Sequence, residues 1–152
     1  MGQVTLQLEV TLKLGDSAPD FAVKTLDNQS LKLSDFRGKY VLLDFWATWC
    51  GPCVAETPHL KAGYDSFGKD GRFVLTSLSL DSDQAAPKKF ARTQGSAWTQ
   101  GFLGDGSKDK VTQSYGVYGI PAIFLIGPDG KALATGLRGP KIKEAVAAVL
   151  AH

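Results

Sequence analysis

The stretch "YVLLDFWATWCGPC", residues 40–53, constrains the fold more than any other part of this 152-residue chain. Its first eight residues are almost continuously apolar and of strand length. Such a run has no solvated face, so it suits a central strand covered on both sides, as in a parallel sheet. The segment from Gly51 to about Phe67 reads as a helix, with Pro58 inside it as a kink. "RFVLTSLSLD" follows as a second buried strand. Strand, helix, strand requires a crossover that lays the helix on a sheet face, which is the unit of an α/β domain.

The flanking segments extend that unit. "FAVKTLDNQSLKLSDF" predicts a hairpin turning at Asp27 and Asn28, and Ser34 is placed to cap one helical turn ending at Gly38. "SDQAAPKKFARTQG" opens on capping residues and stops at Gly95, as a helix does. "SKDKVTQSYGV" is a shorter helix candidate. "AIFLIGPDGKALATGL" predicts a second hairpin around Pro128, Asp129 and Gly130. The closing "PKIKEAVAAVLAH" carries Ile142, Ala145, Val146, Val149 and Leu150 at helical spacing behind an early Pro140. Ahead of all these, Val4, Leu6, Leu8, Val10, Leu12 and Leu14 alternate with polar residues, a strand period. An unpaired apolar-faced strand invites association, so residues 1–14 are expected to pair, either as an extension of this domain or as the tail of a preceding one. Residues 15–152 form one domain on this reading.

Composition excludes several classes. Basic and acidic residues are mixed and the net charge is +2, with no block dense enough for nucleic acid. A membrane span needs roughly 20 apolar residues in a row, and polar residues and glycines interrupt every run here. "MGQVTLQLEVTLKLGD" lacks the basic start, apolar core and small-residue cleavage site of a secretory signal, and Leu6 breaks the myristoylation pattern. The sequence as given is therefore not expected to direct its own export.

Only two cysteines occur, Cys50 and Cys53, with two residues between them. A structural bridge would close a very short loop, where stabilisation through loop closure is smallest. Half a zinc site would need further ligands, and His59 and His152 are the only histidines, without paired spacing. No metal and no cofactor are expected. A redox pair fits the placement. Cys50 follows a buried strand and directly precedes a helix, whose unpaired N–H groups and positive dipole end stabilise a thiolate. The thiolate is the nucleophile of disulfide exchange. Pro52 sits where a helix start tolerates it. Cys53, one turn in, would be more covered. Cys50 would attack a substrate disulfide, and Cys53 would resolve the mixed disulfide.

"FWATWCGPC" resembles the active-site segment of the thioredoxin superfamily. The longer lead-in "GDSAPDFAVKTLDNQSLKLSDFRGKYVLLDFWATWCGPCVAETPHL" and the later "YGVYGIPAIFLIGPDGK" are similar to the TlpA/ResA-like thiol-disulfide oxidoreductases and, more distantly, to the redoxin–peroxiredoxin group. The resemblance runs from about Gly15 to about Ala151. It implies a thioredoxin-like three-layer fold, a central mixed β-sheet flanked by helices, here with an extra N-terminal hairpin and strand. It implies that Asp44 is a buried carboxylate that takes or relays the proton of Cys53, its acidity weakened by burial. It places Glu56 beside the active site. It makes Ile120-Pro121 the cis-proline loop facing the cysteines, presenting the Ile120 backbone to an extended substrate. Trp46 would be core, and Trp49 an exposed ring beside Cys50 that docks substrate together with Gly51 and Pro52.

The implied activity is exchange of disulfides with protein substrates, with a thiol-disulfide partner to re-reduce the pair. The Gly51-Pro52 dipeptide, as in general thioredoxins, tilts the direction towards reduction. The implied state is monomeric, and the implied location extracytoplasmic, with a cytoplasmic placement left open by the missing signal. Two alternatives stand beside this. A peroxiredoxin-type thiol peroxidase shares "APDF", but sets a Thr three residues before its reactive Cys and a Pro four further back; this chain has Ala47 and Leu43 there. A thioredoxin-fold binding module without chemistry would not need the intact Cys50, Cys53 and Pro121.

Overall fold

The computed structural model describes residues 12–104 and 110–151. Most of the alternating N-terminal segment, residues 1–11, lies outside them, as does the first part of the short helix candidate. Among the described residues one seven-stranded mixed sheet runs in the order β2-β1-β5-β4-β3-β6-β7. The strands are β1 Ala22–Thr25, β2 Ser30–Lys32, β3 Tyr40–Trp46, β4 Phe73–Ser79, β5 Thr99–Phe102, β6 Ala122–Ile126 and β7 Ala132–Ala134. The helices are α1 Gly51–Phe67, α2 Ala85–Gln94, α3 Lys110–Ser114 and α4 Pro140–Leu150, with a 3₁₀ turn at Leu33–Phe36. β3, β4 and β5 are parallel, and β6 runs antiparallel to β3. The expected βαβ unit is β3-α1-β4.

The apolar run of β3 sits centrally because both its faces are covered. Val41, Leu43 and Phe45 join Tyr115, Phe124 and Ile126 in one core. Leu42 turns to the other face with Leu60 of α1 and Ile142, Val146 and Leu150 of α4. Period-2 alternation therefore places Asp44 and Trp46 on the face that carries α1. On the opposite face Tyr115 is fully buried, packed with Phe45 and Phe124 at ring-centroid distances of 5.4 and 5.6 Å. Its hydroxyl donates to the Pro19 carbonyl at 2.7 Å.

Two local expectations are corrected, and one strand was not anticipated. Residues 99–102, "TQGF", form the parallel strand β5, which the sequence pattern does not announce. Leu14 does not continue the apolar alternation: it lies in a turn, 66% exposed, whereas Leu12 is buried. The following residues pair with the second hairpin instead, through Gly15 N–H to Ala132 O at 2.8 Å and Ala18 N–H to Gly130 O at 2.8 Å. Ser34 does not cap the 3₁₀ turn. The acceptors there are aspartates, Asp35 for the Lys32 N–H at 3.2 Å and Asp20 for the Ser34 N–H at 3.0 Å. A carboxylate is the stronger acceptor for an orphan backbone donor.

Candidate active site

The polypeptide leaves β3 at Trp46 and starts α1 at Gly51, so the intervening loop lies at the carboxyl end of a parallel strand. Cys50 is the N-cap of α1 in an extended conformation, with Pro52 in the first turn. Its sulfur accepts the Cys53 N–H at 3.2 Å. The two cysteines form a disulfide, with Cα atoms 5.2 Å apart. Both are largely covered, but unequally: Cys50 is 6% exposed and Cys53 2%. Cys50 reaches an open groove of about 710 Å³. Cys53 does not line it.

Trp49 and Tyr118 line this groove, 68% and 66% exposed, and Leu80, Val117 and Ile120 also contribute to its surface. Gly51 and Pro52 are exposed beside Cys50 and complete the lining on the helix side. The groove's lining residues carry no charge. The Ile120–Pro121 peptide is cis, and the Ile120 carbonyl oxygen lies 3.7 Å from Cys50 Sγ. Trp46, by contrast, is core, packed against Phe90 at 5.0 Å and clustered with both cysteines.

Asp44, 2% exposed, lies on the same face of β3 as Trp46. Its Oδ2 accepts the Ser77 hydroxyl at 2.9 Å, and Ser77 Oγ accepts the Trp98 indole N–H at 2.9 Å. Burial pushes the Asp44 carboxyl up to about 7. The Ser77 hydrogen bond opposes that rise, the Glu56 charge adds to it, and the Arg138 charge opposes it. A carboxyl held near neutrality can accept a thiol proton and return it to water. Glu56, half-buried on α1, uses its Oε1 to accept the Gly139 N–H at 2.8 Å. It therefore reaches the site as a charge near Asp44 and as a tie to the start of α4.

The structure thus brings Trp49, Cys50, Gly51, Pro52 and Ile120 to one groove, with Cys53, Asp44 and Pro121 buried behind it. Sequence reading did not single out Ser77, Trp98, Tyr118, Arg138 or Asp81. Asp81 follows β4, 3% exposed, and accepts from the Thr48 hydroxyl at 2.6 Å, the Thr48 N–H at 3.1 Å and the Ser79 hydroxyl at 2.7 Å. It ties down the loop that carries Trp49. An acidic residue directly after a buried parallel strand was the available signal, since sites in such sheets gather at strand carboxyl ends.

Known proteins resemble this chain in sequence and fold. The AhpC/TSA family matches residues 14–134. A protein named thiol-disulfide oxidoreductase ResA from Bacillus thuringiensis subsp. konkukian is 32% identical over 136 residues, covering 90% of this chain and 76% of its own. One of the same name from Geobacillus thermodenitrificans is 33% identical over 123 residues, covering 81% and 68%. Among solved structures, the thioredoxin domain of a thiol-disulfide oxidoreductase from Bacteroides vulgatus superposes with a TM-score of 0.86 at 36% identity, covering 92% of this chain and 99% of that one. A thiol:disulfide interchange protein from Bacteroides sp. gives 0.84 at 36%, covering 93% and 92%. The fold is thioredoxin-like with a Cys50–Cys53 pair, and the chain belongs to the AhpC/TSA family as a ResA-like thiol-disulfide oxidoreductase.

Proposed function

We propose that this thiol-disulfide oxidoreductase works as a reductant of protein disulfides. In its dithiol form the Cys50 thiolate, at the start of α1, attacks one sulfur of a substrate disulfide. A Cys50–substrate bond forms, the substrate S–S bond breaks, and the released thiolate takes a proton from water. Cys53 then passes its proton to the Asp44 carboxylate and attacks Cys50 Sγ. The second substrate sulfur leaves as a thiolate and is protonated. Two electrons have moved: the substrate holds two thiols and the enzyme holds the Cys50–Cys53 disulfide. An external dithiol partner restores the reduced pair.

The observation that carries this reading is the unequal placement of the two sulfurs. Cys50, at a helix N-cap, lines the groove, while Cys53 lies behind it. Trp49, Gly51, Pro52 and the Ile120 backbone offer an extended peptide an uncharged bed, with Pro121 fixing the bend of that backbone and Glu56 biasing Asp44. We assign the protein to an extracytoplasmic compartment and a monomeric state, on the family resemblance.

Reduction of insulin by the protein, recycled with dithiothreitol, tests the activity, and equilibration with a dithiothreitol redox buffer tests the direction. Turnover lost in Cys50→Ser, together with a potential as low as that of thioredoxin, about −270 mV, is the expected outcome. A potential near that of the oxidant DsbA, about −120 mV, would reverse the direction. Wild-type protein without insulin turnover would remove the substrate class.

A further inference from the structure

Three consecutive residues in the loop before α4 each hold a different part of the site. The Leu137 N–H donates to Ile123 O of β6 at 3.3 Å. The Arg138 guanidinium donates through Nη2 to the Pro121 carbonyl, and through Nη1 to its own neighbour Leu137 O at 3.0 Å. The Gly139 N–H donates to Glu56 of α1. Gly139 has φ 55° and ψ −139°, backbone that side chains oppose, so this aim of its N–H depends on glycine. The loop therefore ties the Ile120–Pro121 peptide to the helix that carries the cysteines.

We propose that Arg138 is a positioning residue of disulfide exchange: tied to the Pro121 carbonyl, it fixes the Ile120 backbone against Cys50, and its charge offsets that of Glu56 at the buried Asp44. Three features single it out. Its hydrogen-bond partner is the carbonyl of the very residue whose preceding carbonyl lies 3.7 Å from Cys50 Sγ. Its charge opposes the effect of Glu56 on Asp44. Ile120 is also a wall of the groove, so a displaced loop changes the substrate bed as well as the sulfur's surroundings.

The inference rests on the disulfide-exchange reading and makes two separate demands. Loss of the tie weakens substrate docking, which raises KM. Loss of the charge makes Asp44 a weaker acid, which moves the pH at which resolution by Cys53 switches on. The groups acting on Asp44 are Ser77 from β4, Glu56 from α1 and Arg138 from the loop before α4. Arg138→Met keeps the stem and removes both the donors and the charge. Arg138→Lys keeps the charge and loses the forked donor pair.

The experiment measures single-turnover reduction of a disulfide-linked peptide dimer by pre-reduced protein, between pH 5 and pH 9. For Arg138→Met, KM is expected to rise by about fivefold, and the midpoint of the rising limb to move up by about half a pH unit. Glu56→Gln should move the midpoint down. Arg138→Lys should keep the wild-type midpoint with a KM raised about twofold. Folded Arg138→Met with either an unchanged KM or an unchanged midpoint overturns the proposal. Should that variant not fold, Arg138→Lys with a wild-type KM, or Glu56→Gln with an unmoved midpoint, does the same. Wild-type protein inert towards the peptide would count against the exchange reading itself, a result distinct from both.

Discussion

At the residue scale the chemistry divides two sulfurs that are three positions apart. Cys50 caps α1, where orphan N–H groups favour a negative charge, and it faces the groove. Cys53 is inside the first turn with 2% of its surface exposed. In the reduced protein, iodoacetamide at pH 7 is expected to modify Cys50 at least about tenfold faster than Cys53, read by mass spectrometry of the alkylated peptide. Equal, slow labelling of both would remove the activated nucleophile. The order of the pair and the burial of Asp44 were legible through the resemblance, which places a buried carboxylate six residues before Cys50. Arg138 was not legible. Its role depends on the Pro121 carbonyl, 17 residues earlier in the chain, and an arginine beside a glycine in a loop carries no such signal.

At the element scale the strands that position the site were read from hydrophobic runs, and β5 shows where that method stops. It is four residues long, and Gly101 interrupts any alternation. What makes it a strand is its neighbours: β4 on one side, parallel, and β1 on the other, antiparallel. Gly101 is there because the sheet leaves no room. A Cβ would sit 2.5 Å from Leu78 Cδ2 and 3.0 Å from Leu31 Cδ2, both side chains buried. Gly101→Val is therefore expected to destabilise the protein by about 1–3 kcal/mol through overpacking, seen as a lower denaturant midpoint. A wild-type midpoint would mean that Leu78 and Leu31 yield. The Ser34 cap failed for a comparable reason: Asp20, 14 residues away, supplies the acceptor, and a local motif cannot foresee a distant carboxylate.

At the scale of the whole molecule, stability and chemistry meet in Asp44. The folded protein holds this carboxyl at about 7, against 3.8 in an ordinary setting. Below about pH 4 both folded and unfolded chains keep the proton, and no penalty arises. As pH rises from there, the unfolded chain ionises first, so stability falls until the folded carboxyl also ionises near pH 7. Each tenfold in acidity is worth about 1.4 kcal/mol, so the full loss is about 4 kcal/mol by pH 9. Asp44→Asn, which still offers Ser77 an acceptor, is expected to recover most of it. Urea unfolding at pH 4 and pH 9 checks this: the variant should gain stability at the higher pH and little at the lower. An equal effect at both would mean that ionisation of Asp44 is not the cause.

The two sulfurs also restrict how the polypeptide can go astray. With no third cysteine anywhere in the sequence, a monomer has only one internal crosslink to make, and it joins near neighbours. Oxidative refolding therefore has no scrambled isomers to sort through. Any wrong bond must join two molecules, so it should thin out as the protein is diluted.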